Sequence, residues 1–456
     1  MHKVTQLGGV MMIAAMACAI PYEFTGITAF SNIAAVCTVI GLACFAPSVR
    51  WTRDLFIVIG AVLLLIAVFA DPDWQSHARK ALSQATFIAS FFTALSAIRS
   101  AAVTDPSILE CGRFLASQPP GRRYLALSMG GHLFGLVLMY GSISLLGALA
   151  TENAAKEPNP EIRAHRTRRM LVAIQRGFLS TLAWSPLAFA SAVTLSIVPG
   201  ANWATALPLC LLNSALLVGI GWAMDTIFKP RLSAPPPPRG PAEGQWLLHL
   251  RPLFILLGML MTSVAVLHFG TGVRVVGVVT LVVPLIAFAW VVMQDRSTAL
   301  TRAARFATQD IPALRGEIVL LSMAGFIGTM GGHLAAPLTA AAGLDLTAIP
   351  TTVLLLGLFW LIPITGQLGM NPILAVSLIG PLLPTPEAMG ITPALLVAVI
   401  TGAWSLAGTT SPFTASVLLV GNFGKVSPNH VGIKWNGAYA LTVGAIMSAG
   451  IILLTI

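Results

Sequence analysis

Residues 275–293 read VVGVVTLVVPLIAFAWVVM, a run without a single charge. At a rise of about 1.5 Å per residue, such a run crosses the roughly 30 Å hydrocarbon core of a bilayer as one helix. Residues 55–70, LFIVIGAVLLLIAVFA, have the same character. The rest of the chain matches them: of 456 residues 56% are hydrophobic and only 9% charged, with a mean hydropathy of +0.85. Soluble domains carry about 25% charged residues, so this composition calls for lipid as solvent. Lipid leaves the backbone only helices and closed barrels, and the alternating segments of a barrel, about ten residues each, are absent. The fold class is therefore an all-α polytopic membrane protein.

Candidate spans are 8–22, 27–46, 55–70, 86–101, 177–198, 204–228, 249–269, 275–293, 316–336, 393–421 and 435–456. The first is read as a membrane helix, since no cleavage site followed by a soluble domain marks it as a signal peptide. Two further apolar stretches, 124–150 and 351–384, are interrupted. The first breaks around Tyr140-Gly141-Ser142-Ile143-Ser144 and the second around Thr365-Gly366-Gln367-Leu368-Gly369-Met370-Asn371-Pro372. Between Arg231 and Gln245, the prolines 235–238 followed by Gly240 and Pro241 form a stiff, extended linker.

The parts on either side of that linker look like copies. Leu171-Val172-Ala173-Ile174, then Gly177 and Ser185-Pro186, is echoed by Leu396-Val397-Ala398-Val399, then Gly402 and Ser411-Pro412. Ser185 and Ser411 stand 226 residues apart, as do Gly141 and Gln367. The expected organisation is an extra N-terminal helix at 1–26, a first repeat at 27–228, a Pro-rich cytoplasmic linker at 229–248 and a second repeat at 249–456. If each interrupted stretch is a re-entrant hairpin, each copy crosses the membrane five times, and an odd number makes the two repeats inverted. The total is eleven crossings. With the N-terminus inside, most basic residues fall on the cytoplasmic side, as the positive-inside rule requires. They run from Lys3, Arg50 and Arg53 through Arg163, Arg166, Arg168, Arg169 and Arg176 to Lys425 and Lys434, leaving only Arg79, Lys80 and Arg274 outside. The C-terminus is then external. The net charge of +10 is accounted for by topology, not by nucleic acid. The five cysteines have no metal-ligand spacing, so no metal cofactor is implied.

No carboxylate sits at mid-membrane; Asp225 and Glu317 lie at span ends. His132 and His333 lie in apolar context and read first as packed, hydrogen-bonded histidines, with a proton relay as the alternative. Asn213 is expected to bond a neighbouring helix. No HExxH, paired membrane aspartate or nucleophile with a nearby base points to an enzyme. The informative residues cluster at Tyr140–Ser144, Trp184–Pro186, Thr365–Pro372 and Gly408-Thr409-Thr410-Ser411-Pro412-Phe413-Thr414. Proline and glycine unwind helices there. Unwound backbone at membrane depth lines a cavity or is covered by protein, exposing carbonyls suited to Na⁺ and helix N-termini suited to anions.

This pattern resembles the ion transporter superfamily, most closely the divalent anion:sodium symporter family. Gly112-Arg113-Phe114 through Gln118-Pro119-Pro120-Gly121-Arg122-Arg123 resembles its surface segment before hairpin one. Leu358-Phe359-Trp360-Leu361-Ile362-Pro363 and Asn371-Pro372-Ile373-Leu374 resemble the arms of hairpin two, and Thr409-Thr410-Ser411-Pro412 its Thr-Pro-Pro-Asn stretch. At the tips that family carries Ser-Asn-Thr, where this chain has Tyr140-Gly141-Ser142 and Gly366-Gln367-Leu368. The resemblance implies a Na⁺-coupled secondary transporter of a small organic anion in the inner membrane, with a homodimer among its possible assemblies. Candidate substrate residues are Ser142, Ser144, Ser185, Gln367, Asn371, Thr409, Thr410 and Ser411. Candidate carbonyl positions for Na⁺ are Gly141, Ser142, Gly366 and Gly408. Proton-coupled or exchange transport through His132 or His333, and a membrane subunit served by a soluble binding protein, are the alternatives.

Overall fold

The long apolar runs become helices, and no strand occurs among the described residues, which in the computed structural model are 2–119, 121–228, 245–343 and 346–456. Most of the linker expected at 229–248 lies outside them. The first part of the chain forms α1 (His2–Thr25), α2 (Thr28–Phe45), α3 (Trp51–Ala70), α4 (Trp74–Val103) and α5 (Pro106–Ser117). Then come α6 (Arg123–Leu138), α7 (Gly141–Ala155), α8 (Pro160–Leu182), α9 (Phe189–Ile197) and α10 (Trp203–Ile227). The second part forms α11 (Trp246–His249), α12 (Arg251–Thr271), α13 (Val275–Gln294), α14 (Ala299–Arg305), α15 (Ile311–Ala313) and α16 (Arg315–Ala341). It ends with α17 (Thr351–Gln367), α18 (Pro372–Ile379), α19 (Pro393–Thr410), α20 (Ala415–Gly424) and α21 (Gly437–Thr455). Among the described residues, ten helical segments are long and apolar enough to cross a membrane, and the chain is a multi-pass membrane protein. The fourth span, expected at 86–101, starts earlier than its apolar run. α4 reaches back to Trp74 because the polar residues before Thr86 are good helix formers.

Packing cuts across the two sequence halves. One compact unit contains 1–102, 259–348 and 373–385; the other contains 103–258, 349–372 and 386–456. In unit 1, Ala67, Ala81 and Met330 form a fully buried centre among Trp74, Phe326 and Leu334. Helix ends expected on one side of the membrane meet. Arg274 pairs with Glu23 at 2.6 Å, and the His77 and His333 rings stack at 4.3 Å. Arg315 donates to the Ser48 carbonyl at 3.0 Å, and Ser100 to Asp310 at 2.6 Å. Asp71, in the turn before α4, accepts a hydrogen bond from His77 that holds its carboxyl below its usual range.

In unit 2, α6 and α8 cross at backbone contact. A Cβ on Gly177 would lie 1.9 Å from the Ser128 carbonyl oxygen, and one on Gly131 2.2 Å from that of Ile174. Small residues permit such approach where lipid gives helices little hydrophobic reason to associate. Asn213 on α10 donates to the Ala398 carbonyl of α19 at 2.9 Å, as its isolation in an apolar span led one to expect.

The 226-residue offset between the halves holds at both ends but not in the middle. Trp51 and Val275, which open α3 and α13, are 224 apart; Trp74 and Arg315, which open α4 and α16, are 241 apart; Phe189 and Ala415, which open α9 and α20, are 226 apart. The second half inserts α14 and α15 before its third long helix, while the first half places α5 after its own. The two insertions compensate in length.

Candidate functional site

Unit 2 contains two helices that stop and restart. α8 ends at Leu182 and α9 begins at Phe189; α19 ends at Thr410 and α20 begins at Ala415. The two breaks have the same local form from Ser185 and from Ser411 onward. In each, the serine hydroxyl accepts from the backbone N–H two residues on, Leu187 at 3.1 Å and Phe413 at 3.3 Å. Proline follows each serine and can donate nothing to the preceding turn, so the serine closes the loop that proline opens. The N-cap residues Ala188 and Thr414 make no side-chain cap bond to α9 or α20, and the positive end of each short helix dipole suits an anion.

The interruptions in the shorter helices lie a few residues from their expected places. α6 and α7 are joined by Met139 and Tyr140 alone, with Met139 taking a left-handed φ of 55°. Gly141, Ser142 and Ser144 therefore form the first turn of α7, not a loop. In the second half α17 runs on through Gln367 and the chain turns at 368–371, where Gly369 has φ 91°. Asn371 ends that turn, and Pro372 starts α18, a position proline favours because the first helical N–H has no partner to lose.

The candidate residues fall into two groups. Around the second break, the Ser411 hydroxyl donates to the Gly366 carbonyl at 2.6 Å, and Gln367 Nε2 to Thr410 Oγ1 at 3.1 Å. These bonds fasten the end of α17 to the broken helix. Thr409 is fully buried and donates to Ser405, while Gly408 accepts from Ser416 at 2.6 Å. Around the first break, Ser142 is fully buried and donates to the Met139 carbonyl at 2.7 Å. Ser185 is 1% exposed. His132 on α6 bonds Ser180 on α8 at 2.7 Å and lies parallel to the Trp184 ring, so it is a packed histidine. The groups meet where α8 and α19 touch: a Cβ on Gly408 would come within 2.5 Å of Leu179 Cδ2, and Gln175 donates to the Thr409 carbonyl.

Ser142, Ser185, Thr409 and Ser411 thus spend their hydroxyls on backbone and are buried. Thr410, Gln367 and Asn371 are half-buried, and Phe413 is 61% exposed. Of the carbonyls proposed for Na⁺, that of Gly366 accepts from the N–H groups of Leu368 and Gly369 as well as from Ser411. The sequence reading named Thr414 in its cluster but not among the site residues, and missed Ser416; their hydroxyls approach the Gly408 carbonyl at 3.4 and 2.6 Å. It also missed the Gln175-Arg176 pair, although two polar residues inside LVAIQRGFLSTL were a visible signal.

Arg176 corrects an expectation. It was counted among the basic residues at an inner span end, yet it is only 7% exposed and packs inside unit 2. The cause is its face of α8, which turns toward α6 and α21. Its guanidinium donates to Asn436 Oδ1, the Tyr124 hydroxyl and the Trp435 carbonyl, and lies 3.9 Å over the Tyr439 ring. Asn436 in turn donates to Gln175 at 3.0 Å. Among the described residues no carboxylate pairs with Arg176.

No sequence-family profile and no curated protein sequence matches the chain. Solved structures do. The YdaH transporter of Alcanivorax borkumensis, described as having an unusual topology, is similar with a TM-score of 0.55 and 17% identity, over 88% of this chain and 97% of that one. MtrF of Neisseria gonorrhoeae, described with a class of antimetabolite efflux pumps, gives a TM-score of 0.52 and 13% identity over 88% and 95%. At this identity the likeness concerns the fold alone.

Proposed function

We propose that the protein is a secondary transporter of a small organic anion of the carboxylate type, coupled to Na⁺ and working by alternating access. The observation that carries this reading is the pair of equivalent helix breaks, each presenting an uncapped short helix, within one compact unit. A substrate carboxylate would take the N–H groups at the start of α20 with Thr410 and Gln367 beside it. Ser411, Thr414 and Ser416 converge on the carbonyls of Gly366 and Gly408 without any acidic residue. Hydroxyl protons rotate freely, so the same oxygens can turn toward a hard cation. The likeness in fold to a transporter and an efflux pump supports transport, and the resemblance to the divalent anion:sodium symporters supports the substrate class and coupling ion.

The inverted, eleven-crossing topology in the inner membrane belongs to the same reading. α6 and α7, 16 and 15 residues long, reach roughly 24 and 22 Å at 1.5 Å per residue, short of the bilayer core. Arg274 meets Glu23, so an even number of crossings separates them. That supports a re-entrant hairpin over a single crossing at 124–150. A reporter fused after Ile456 should read as external; a cytoplasmic signal would end the eleven-crossing topology.

The transport reading is tested by uptake of radiolabelled dicarboxylates and aromatic carboxylates into proteoliposomes. An inward Na⁺ gradient should drive it, and full uptake on a proton gradient alone would refute Na⁺ coupling. Thr410→Ala removes a hydroxyl that would contact substrate. Losing a hydrogen bond to a charged group costs about 1.5–3 kcal/mol, so affinity should fall about ten- to a hundredfold while the protein stays folded. Unchanged substrate and Na⁺ affinity in Thr410→Ala and in Gln367→Ala would place the site elsewhere.

A further inference from the structure

We infer that the large cavity of unit 1 is a binding site for an anionic phospholipid. The cavity has a volume of about 1190 Å³ and lies between α2, the end of α1 and the start of α4. Pockets for small ligands typically measure about 300–1,000 Å³, so this one is large, and its lining is graded in polarity.

On α2 the lining positions follow one helical stripe. Thr28, Ser31 and Asn32 come first, then Val36, Val39 and Ile40. From Thr28 to Ile40 the stripe runs roughly 18 Å at 1.5 Å per residue, polar at the α2 N-terminus and apolar beyond. The basic residues come from the first two turns of α4, which in the proposed topology begins on the same side of the membrane as α2. Arg79 and Lys80 on α4 line the cavity and are exposed, and no ion pair among the described residues involves either. Asp73 is the one carboxylate in the lining, leaving a net positive charge. Tyr22, near the end of α1, and Trp74, the first residue of α4, also line it, and these two residue types gather at headgroup depth.

A phosphodiester against Arg79 and Lys80, with an acyl chain along Val36, Val39 and Ile40, satisfies both ends. A soluble anion would leave the apolar stripe uncovered, and a zwitterionic phospholipid would bring an ammonium charge of its own against the two cations. A Lys or Arg held against anionic headgroups gains about 1 kcal/mol by electrostatic attraction. The proposal also accounts for Arg79 and Lys80 as exceptions to the positive-inside pattern, since their charge serves a ligand, not topology.

The test is thermal unfolding of the full chain in neutral detergent at fixed salt, titrated with dioleoylphosphatidylglycerol, dioleoylphosphatidylcholine or sn-glycerol 3-phosphate. A ligand that binds only the folded state raises the melting temperature with concentration. Phosphatidylglycerol should stabilise the protein and the other two should not. The double variant Arg79→Gln/Lys80→Gln should fold, because both residues are exposed, and should bind about tenfold or more weakly. Arg302→Gln, elsewhere in unit 1, should respond as the unaltered chain does. Equal stabilisation by phosphatidylcholine, or an undiminished response in the double variant, would overturn the proposal. An equal response to glycerol phosphate would make the site one for soluble anions. A lipid-free dimer cross-linked through Val36→Cys would show that a second copy, not a lipid, fills the groove.

Discussion

Alanine at Gly177 is expected to destabilise the protein by about 3 kcal/mol or more, enough to remove most folded material from detergent extracts. The new methyl carbon would sit 1.9 Å from the Ser128 carbonyl oxygen. That atom belongs to the backbone of α6 and cannot rotate away, so the two helices must separate. Separation would loosen the His132–Ser180 bond and the α6–α7 turn that this crossing supports. Gly219→Ala is the matched control. It lies on exposed α10 surface with nothing within 4 Å of the new carbon, and alanine favours helix over glycine by about 0.8–1.0 kcal/mol. Fluorescence-detected size exclusion after graded heating distinguishes the two. If Gly177→Ala and Gly219→Ala survive to the same temperature, the close crossing is not what holds α6 to α8.

The second large effect concerns the buried charge of Arg176. Asn436→Leu should cost about 3–5 kcal/mol, because it deprives a buried guanidinium of an acceptor and leaves Gln175 Oε1 without its donor. Arg176→Met removes the charge together with its desolvation cost. It should be milder, about 1–3 kcal/mol, mostly from the polar groups it abandons. The order of the two variants is the diagnostic feature. If Arg176→Met is the more damaging, the guanidinium contributes through its own bonds and stacking on Tyr439, not as a charge that the network must satisfy.

Much of this molecule is written locally in its sequence. The membrane class, the helical fold and the spans follow from hydropathy alone, since lipid forces each segment to satisfy its own backbone. The two breaks at Ser185-Pro186 and Ser411-Pro412 were legible for the same reason: proline and its neighbours act within a turn of themselves. The repeat was legible as an offset, although the offset hides α5 in one half and α14 and α15 in the other.

Tertiary structure alone decided which polar groups face each other. Arg176 and Lys434 look alike in a hydropathy scan, but the face of α8 on which Arg176 lies turns it into the unit, against Asn436 and Tyr124. Ser411 and Thr410 are neighbours in sequence, yet one is 1% exposed and tied to Gly366 while the other stays half-buried beside Gln367. The division into units that interleave both halves was equally invisible. Local chemistry fixes where a helix begins, bends and ends. Which side chains face each other depends on contacts such as Ser411 with Gly366, 45 positions apart, and Arg176 with Asn436, 260 apart, and single-chain periodicity carries no record of those.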